Sequence, residues 1–169
     1  MPSPDKSSSL SFWHPAHLIA TWFGAGLLPK APGTWGSLAA LPFAYALLLF
    51  FSSPFVLLIA ASLLFIPGCW ASAVYASSTG RPDPGDVVVD EVVGQWMVLA
   101  IAPFTPVGWI LAFLLFRLFD VVKPWPISLA DRHVKGGFGI MIDDVIAAVF
   151  AMVIMAALSN YAPQIFHLI

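Results

Sequence analysis

The sequence predicts an all-α integral membrane protein of about five apolar helical segments, preceded by an N-terminal amphipathic helix at the bilayer interface. Three observations predict it. Hydrophobic residues make up 60% and charged residues 9% of the 169, with a mean hydropathy of +0.90. A soluble domain carries about 25% charge, and a chain this small could not bury so much apolar surface in water. The apolar residues fall in runs separated by turns rich in Pro, Gly and Ser. Charge is also unevenly placed, with eight of the sixteen charged residues between Arg117 and Asp144. The formal net charge of −2 and the lack of a basic run give no sign of a nucleic-acid partner.

The polar start, MPSPDKSSSL, reads as a disordered tail over residues 1–11, followed by one domain over 12–169. Phe12 to Leu28 gives the interfacial helix, with Leu18, Ile19, Trp22 and Phe23 on one face and His14, His17 and Thr21 more polar. The loop Leu27–Ser37 holds two prolines and two glycines. Thr34 or Ser37 can cap the helix after it. Lys30 and the same two hydroxyls can instead receive a phosphate oxygen at that helix start.

Leu38–Phe51, counted back to Thr34, makes a first span, and Phe55–Ser77 a full-length second, since a 30 Å hydrocarbon core needs about 20 helical residues. Val87–Ala102 opens with Asp90-Glu91 and is short, so four full spans plus one short or re-entrant helix is the competing count. Val107–Val122 ends in the series Arg117, Asp120, Lys123, and Ile140–Leu158 is entered through Asp143-Asp144. The lone Cys69 excludes an intramolecular disulfide and reads as a small buried hydrophobe. If the segments alternate, every Lys and Arg falls at one membrane face, which the positive-inside rule makes cytoplasmic.

Carboxylates in or beside apolar helices are costly and usually face a cavity or a partner. Asp90, Glu91, Asp120, Asp143 and Asp144 come from three segments, with no thiolate cluster and few histidines. Such a set favours a hard, oxygen-preferring cation, Mg²⁺ before Zn²⁺. Successive helical residues point about 100° apart, so one acid of each adjacent pair is expected at the metal, its neighbour orienting water or a base. Arg117 and Asp120, three apart, share a face, as do Asp120 and Lys123. Their two readings are an internal ion pair, or a metal-holding Asp120 flanked by bases that neutralise phosphate. Asp131, Arg132, His133 and Lys135 read as a solvated loop, from which Asp131 can also reach the site. Gly136, Gly137 and Gly139 form a glycine turn that would admit a head group or simply reverse the chain.

Several phosphate-handling signatures are missing: there is no Gly-x-x-x-x-Gly-Lys-Ser/Thr loop, no arginine six residues after Cys69, and no Asp-x-Asp pair. The stretches GAGLLPKAPGTWGSLAALP (24–42), DPGDVVVDEVVGQW (83–96), FRLFDVVKPWPI (116–127) and GGFGIMIDD (136–144) resemble, in order, the phosphatidylglycerophosphatase A family. The likeness runs from about His14 to Ala157. It implies a Mg²⁺-dependent bacterial inner-membrane enzyme that removes the terminal phosphate of phosphatidylglycerophosphate in glycerophospholipid synthesis. It points to Asp83, Asp90, Glu91, Arg117, Asp120, Lys123, Asp143 and Asp144. Asp86 departs from the family pattern and carries no role over. Two other classes compete: a cation or proton transporter using the same acids, and a non-catalytic scaffold for lipid-synthesis enzymes. Oligomeric state is open, because faces such as Ala147-Ala148-Ala151 can pack within or between chains.

Overall fold

The computed structural model describes residues 10–167, so the tail expected to be disordered lies outside it except for its last two residues. The described residues form seven α-helices: α1 Pro15–Ala20, α2 Pro32–Phe51, α3 Phe55–Thr79, α4 Val89–Leu99, α5 Pro106–Val122, α6 Ile127–His133 and α7 Gly136–Tyr161. Short 3₁₀ turns sit at Ala25–Leu27 and Pro163–His167. Three helices, α2, α3 and α7, are long and apolar enough to cross a membrane, with 20, 25 and 26 residues. With 17 residues α5 falls short of that length, and α4 has 11. Of the five apolar segments expected, three are helices of spanning length, and α4, the segment expected to be short, and α5 are shorter.

The helix ends follow local chemistry. Proline at the first turn starts α2 and α5, where its missing N–H costs nothing. The Thr105 hydroxyl caps α5 by accepting from the Gly108 N–H at 3.1 Å. Gly80 closes α3 in the left-handed conformation. Neither Thr34 nor Ser37 caps α2, which begins one turn earlier, at Pro32 behind Ala31. Ser37 donates instead to the Gly33 carbonyl at 3.0 Å.

The N-terminal helix departs most from expectation. It is six residues long, and its buried Ala16 and Ala20 face inward, with α1 packed on α3. Pro15 at its start and the left-handed Trp22 and Phe23 after it limit its length. His14 caps it through Nδ1, which accepts from the Ala16 N–H at 3.2 Å, and His17 lies edge-on to Tyr75.

Short α4 is the centre of the bundle, packed against α2, α3, α5 and α7. Val89, Val92, Val93, Val98 and Leu99 are buried on it. Two hydrogen bonds fix its height: the Val88 N–H donates to Ala20 at 2.8 Å, and the Trp96 indole to the Ala40 carbonyl at 3.0 Å. At and beyond its C-terminus, Leu99, Ala102 and Phe104 line one cleft with Leu48, Ser52 and Pro54 at the α2–α3 turn. The chain thus travels from the Asp90 end of the bundle to the opposite end before α5 returns. Outward faces are hydrocarbon: Phe50, Leu63, Ile66 and Val153 are all well exposed. Apolar residues cover the outside because no water need be met there.

Candidate active site

A cavity of about 320 Å³ opens at one end of the bundle, walled by the Pro82–Gly85 loop, the starts of α4 and α7, and the end of α5. Asp83, Asp90, Glu91, Asp120, Lys123, Asp131, Asp143 and Asp144 all line it. Four helices and the Pro82–Gly85 loop bring these together. The first turn of α4 carries Asp90 and Glu91, where the positive end of the helix dipole favours carboxylates. The Glu91 N–H donates to Asp90 Oδ1 at 3.1 Å. Asp143 and Asp144 stand two turns inside α7, not at its entry, because this helix starts at Gly136 rather than near Ile140.

The glycines expected to form a turn are the first turn of α7. A Cβ on Gly137 would run into the backbone of Cys69 and Ala73, so its absence lets α7 approach α3 closely. Gly136, at φ +73°, and Gly139 line the cavity.

Within the cavity five of the acids fall into two groups. Asp90, Glu91 and Asp144 each offer an oxygen within 4.8 Å of the others. On α7 the neighbour, Asp143, turns instead to Lys123, which also donates to Asp131 Oδ1 at 2.7 Å. On α4 both members of the adjacent pair reach the trio. Glu91 Oε2, Asp143 Oδ1 and Asp144 Oδ2 are buried without a hydrogen-bond partner. Buried carboxylate oxygens left this way are costly and call for a cation or a proton donor. An all-oxygen set of this kind suits Mg²⁺ better than a soft metal.

Arg117 lies behind the cavity wall. It pairs with Asp120 on its own helix and approaches Glu91 Oε1 at 3.6 Å. The start of α2 presses on this pair, since a Cβ on Gly33 would strike Glu91 Oε1 and Arg117 Nη1. The stretch expected to be a loop is the first turn of α2 and touches the site through a glycine. Lys30 and Thr34 stand off the cavity, and Ser37 is buried within α2.

Lys123 occupies a left-handed position, φ 44°, just before Pro124. Non-glycine residues adopt this only when surroundings hold them there, and here two carboxylates grip the side chain. Burial works against its charge, but the hydrogen bonds to Asp131 and Asp143 outweigh that and raise its pKa above the usual lysine value. The same contact with Lys123 lowers the Asp131 pKa below the usual carboxylate range. Asp131 comes from α6, a helix that the solvated-loop reading of this stretch missed. Its short span between Pro126 and Gly136 gives little periodic signal. Lys135 also lines the cavity, contrary to that reading. Asp86 stands apart, accepting from Arg81 at 2.5 Å and from Tyr75 at 3.3 Å.

A family model described as phosphatidylglycerophosphatase A matches residues 18–159. A Haemophilus influenzae phosphatidylglycerophosphatase A is 44% identical over 153 residues, covering 90% of this chain and 93% of that protein. An Escherichia coli K12 protein of the same name is 39% identical over 157 residues, 92% of this chain and 90% of its own. A Bacteroides thetaiotaomicron protein, provisionally named a phosphatidylinositol-3-phosphatase, is 42% identical over 147 residues, 82% of this chain and 90% of its own. No solved structure matches. The chain belongs to the phosphatidylglycerophosphatase A family.

Proposed function

We propose, from membership of this family and from the acid-lined cavity, that the protein hydrolyses the terminal phosphomonoester of phosphatidylglycerophosphate. The products are phosphatidylglycerol and inorganic phosphate. The observation that carries the reading is the trio Asp90, Glu91 and Asp144, whose converging oxygens are suited to hold Mg²⁺ beside a phosphate. When bound, such a cation polarises the phosphoryl group and favours ionisation of water.

The chain's own residues do the rest. Asp143 keeps Oδ2 on Lys123 and has Oδ1 free, so it is placed to take a proton from the attacking water. The water oxygen bonds to phosphorus, the bond from phosphorus to the glycerol oxygen breaks, and that oxygen receives the proton. Lys123 offsets charge on the phosphoryl oxygens in the transition state. Arg117 holds Glu91 and Asp120 in place from behind the wall.

The setting is a bacterial inner membrane, with the cavity and the N-terminus on the cytoplasmic side. Crowding of the ionisable groups at one end supports a surface enzyme over a transporter, whose acids would be spread through the membrane's depth. Phosphate release from phosphatidylglycerophosphate in mixed micelles, with Mg²⁺ and with chelator, tests the reading. Asp144→Asn is expected to lower kcat by about 100-fold or more, and to weaken Mn²⁺ binding followed by electron paramagnetic resonance. Undiminished turnover in Asp144→Asn would overturn the site.

A further inference from the structure

The two lysines at the cavity are not equivalent. Lys123 is committed to Asp143 and Asp131. Lys135 also lines the cavity, yet its ammonium group meets only the main-chain oxygen of Asp131, at 3.3 Å. Among the described residues it is the cavity cation with no carboxylate partner, and it is solvent-exposed, whereas Asp144 is buried and Asp90 and Glu91 are half-buried.

Its backbone position relative to the acids is set by α7. Lys135 is the residue from which α7 starts, and Asp143 and Asp144 are on that same helix. Seven residues lie between Lys135 and Asp143, which sets their backbones about 12 Å apart along the axis. That is more than one phosphate spans, and it suits an elongated head group carrying a second anion.

The proposed substrate has such a head group. Its terminal monoester must reach the deep acids to react, which leaves the phosphodiester, on the diacylglycerol side, nearer the rim. We propose that Lys135 receives this phosphodiester and selects lipids bearing a second phosphate between the scissile monoester and the diacylglycerol. The inference rests on the phosphatase reading above. A monoester joined directly to diacylglycerol, as in phosphatidic acid, has nothing to place there. Lys135 also offsets Asp83 and Asp131, which would otherwise repel an anion at the mouth.

The test is kcat/KM for phosphatidylglycerophosphate and for phosphatidic acid, in mixed micelles, for the full chain and for Lys135→Gln and Lys135→Arg. The preference for the two-phosphate lipid is expected to fall about tenfold in Lys135→Gln, mainly through KM, as befits loss of one charged contact. Lys135→Arg should keep most of it. An unmoved preference in Lys135→Gln, or an equal fall on both lipids, overturns the assignment. Failure of the parent protein to release phosphate from either lipid would overturn the phosphatase reading itself, and this inference with it.

Discussion

Arg117 holds together two carboxylates that would otherwise repel each other. Its side chain is 15% exposed, those of Glu91 and Asp120 are 12% and 11%, and both acids face it. Removing one partner of a buried ion pair leaves an uncompensated charge, which costs far more than the intact pair contributes. Arg117→Met is therefore expected to destabilise the protein by about 3 kcal/mol, read as a lower thermal unfolding temperature in detergent. Arg117→Lys should recover part of that, since it keeps the charge and loses the two-pronged geometry. If Arg117→Met unfolds like the parent while losing turnover, the residue acts on substrate and not on Glu91 and Asp120. Sequence spacing offered the pairing of Arg117 with Asp120 as one of two readings, but not the approach of Glu91, which comes from another helix.

At the scale of elements, α6 is tied to the bundle by Asp131 on Lys123. Asp131 has its pKa lowered, so its stabilising contribution is present above the usual value of 3.8 and is lost as pH falls through the lower folded value. Lys123 has its pKa raised, so its contribution is present below the usual 10.5 and is lost only above that, through the higher folded value. Hydrogen exchange at residues 127–133 is therefore expected to show constant protection, relative to intrinsic rates, between about pH 5 and pH 9. Protection that fades near pH 6 would show that another group holds α6. Lys123→Met should lower the protection of α6 modestly across the whole range, because the pair is partly exposed and buried Ile127 still holds the helix. The glycines of α7 belong to this scale too, because Gly137 decides how closely α7 can approach α3.

For the whole molecule, the bundle has one polar end and one apolar end. The cavity and Arg132 mark the first, while Ser52, Pro54 and Phe104 mark the second. The proposed orientation is tested with single cysteines in a Cys69→Ala background and a membrane-impermeant maleimide. Arg132→Cys should label from the cytoplasmic side alone and Ser52→Cys from the opposite side alone. Labelling of both from one side would mean that α2 does not cross.

By itself the sequence determined the membrane setting, the clustering of charge and the family, because these depend on composition and on residues near one another in the chain. It also supplied every charged side chain that lines the cavity except Lys135. Only the tertiary structure decided which acids meet: Asp90, Glu91 and Asp144 converge, while Asp143 goes to Lys123. Helical periodicity gives the direction of a side chain about its own axis. What that direction meets depends on the depth and rotation of neighbouring helices, and those are set by distant contacts such as Gly137 on Cys69 and Trp96 on Ala40.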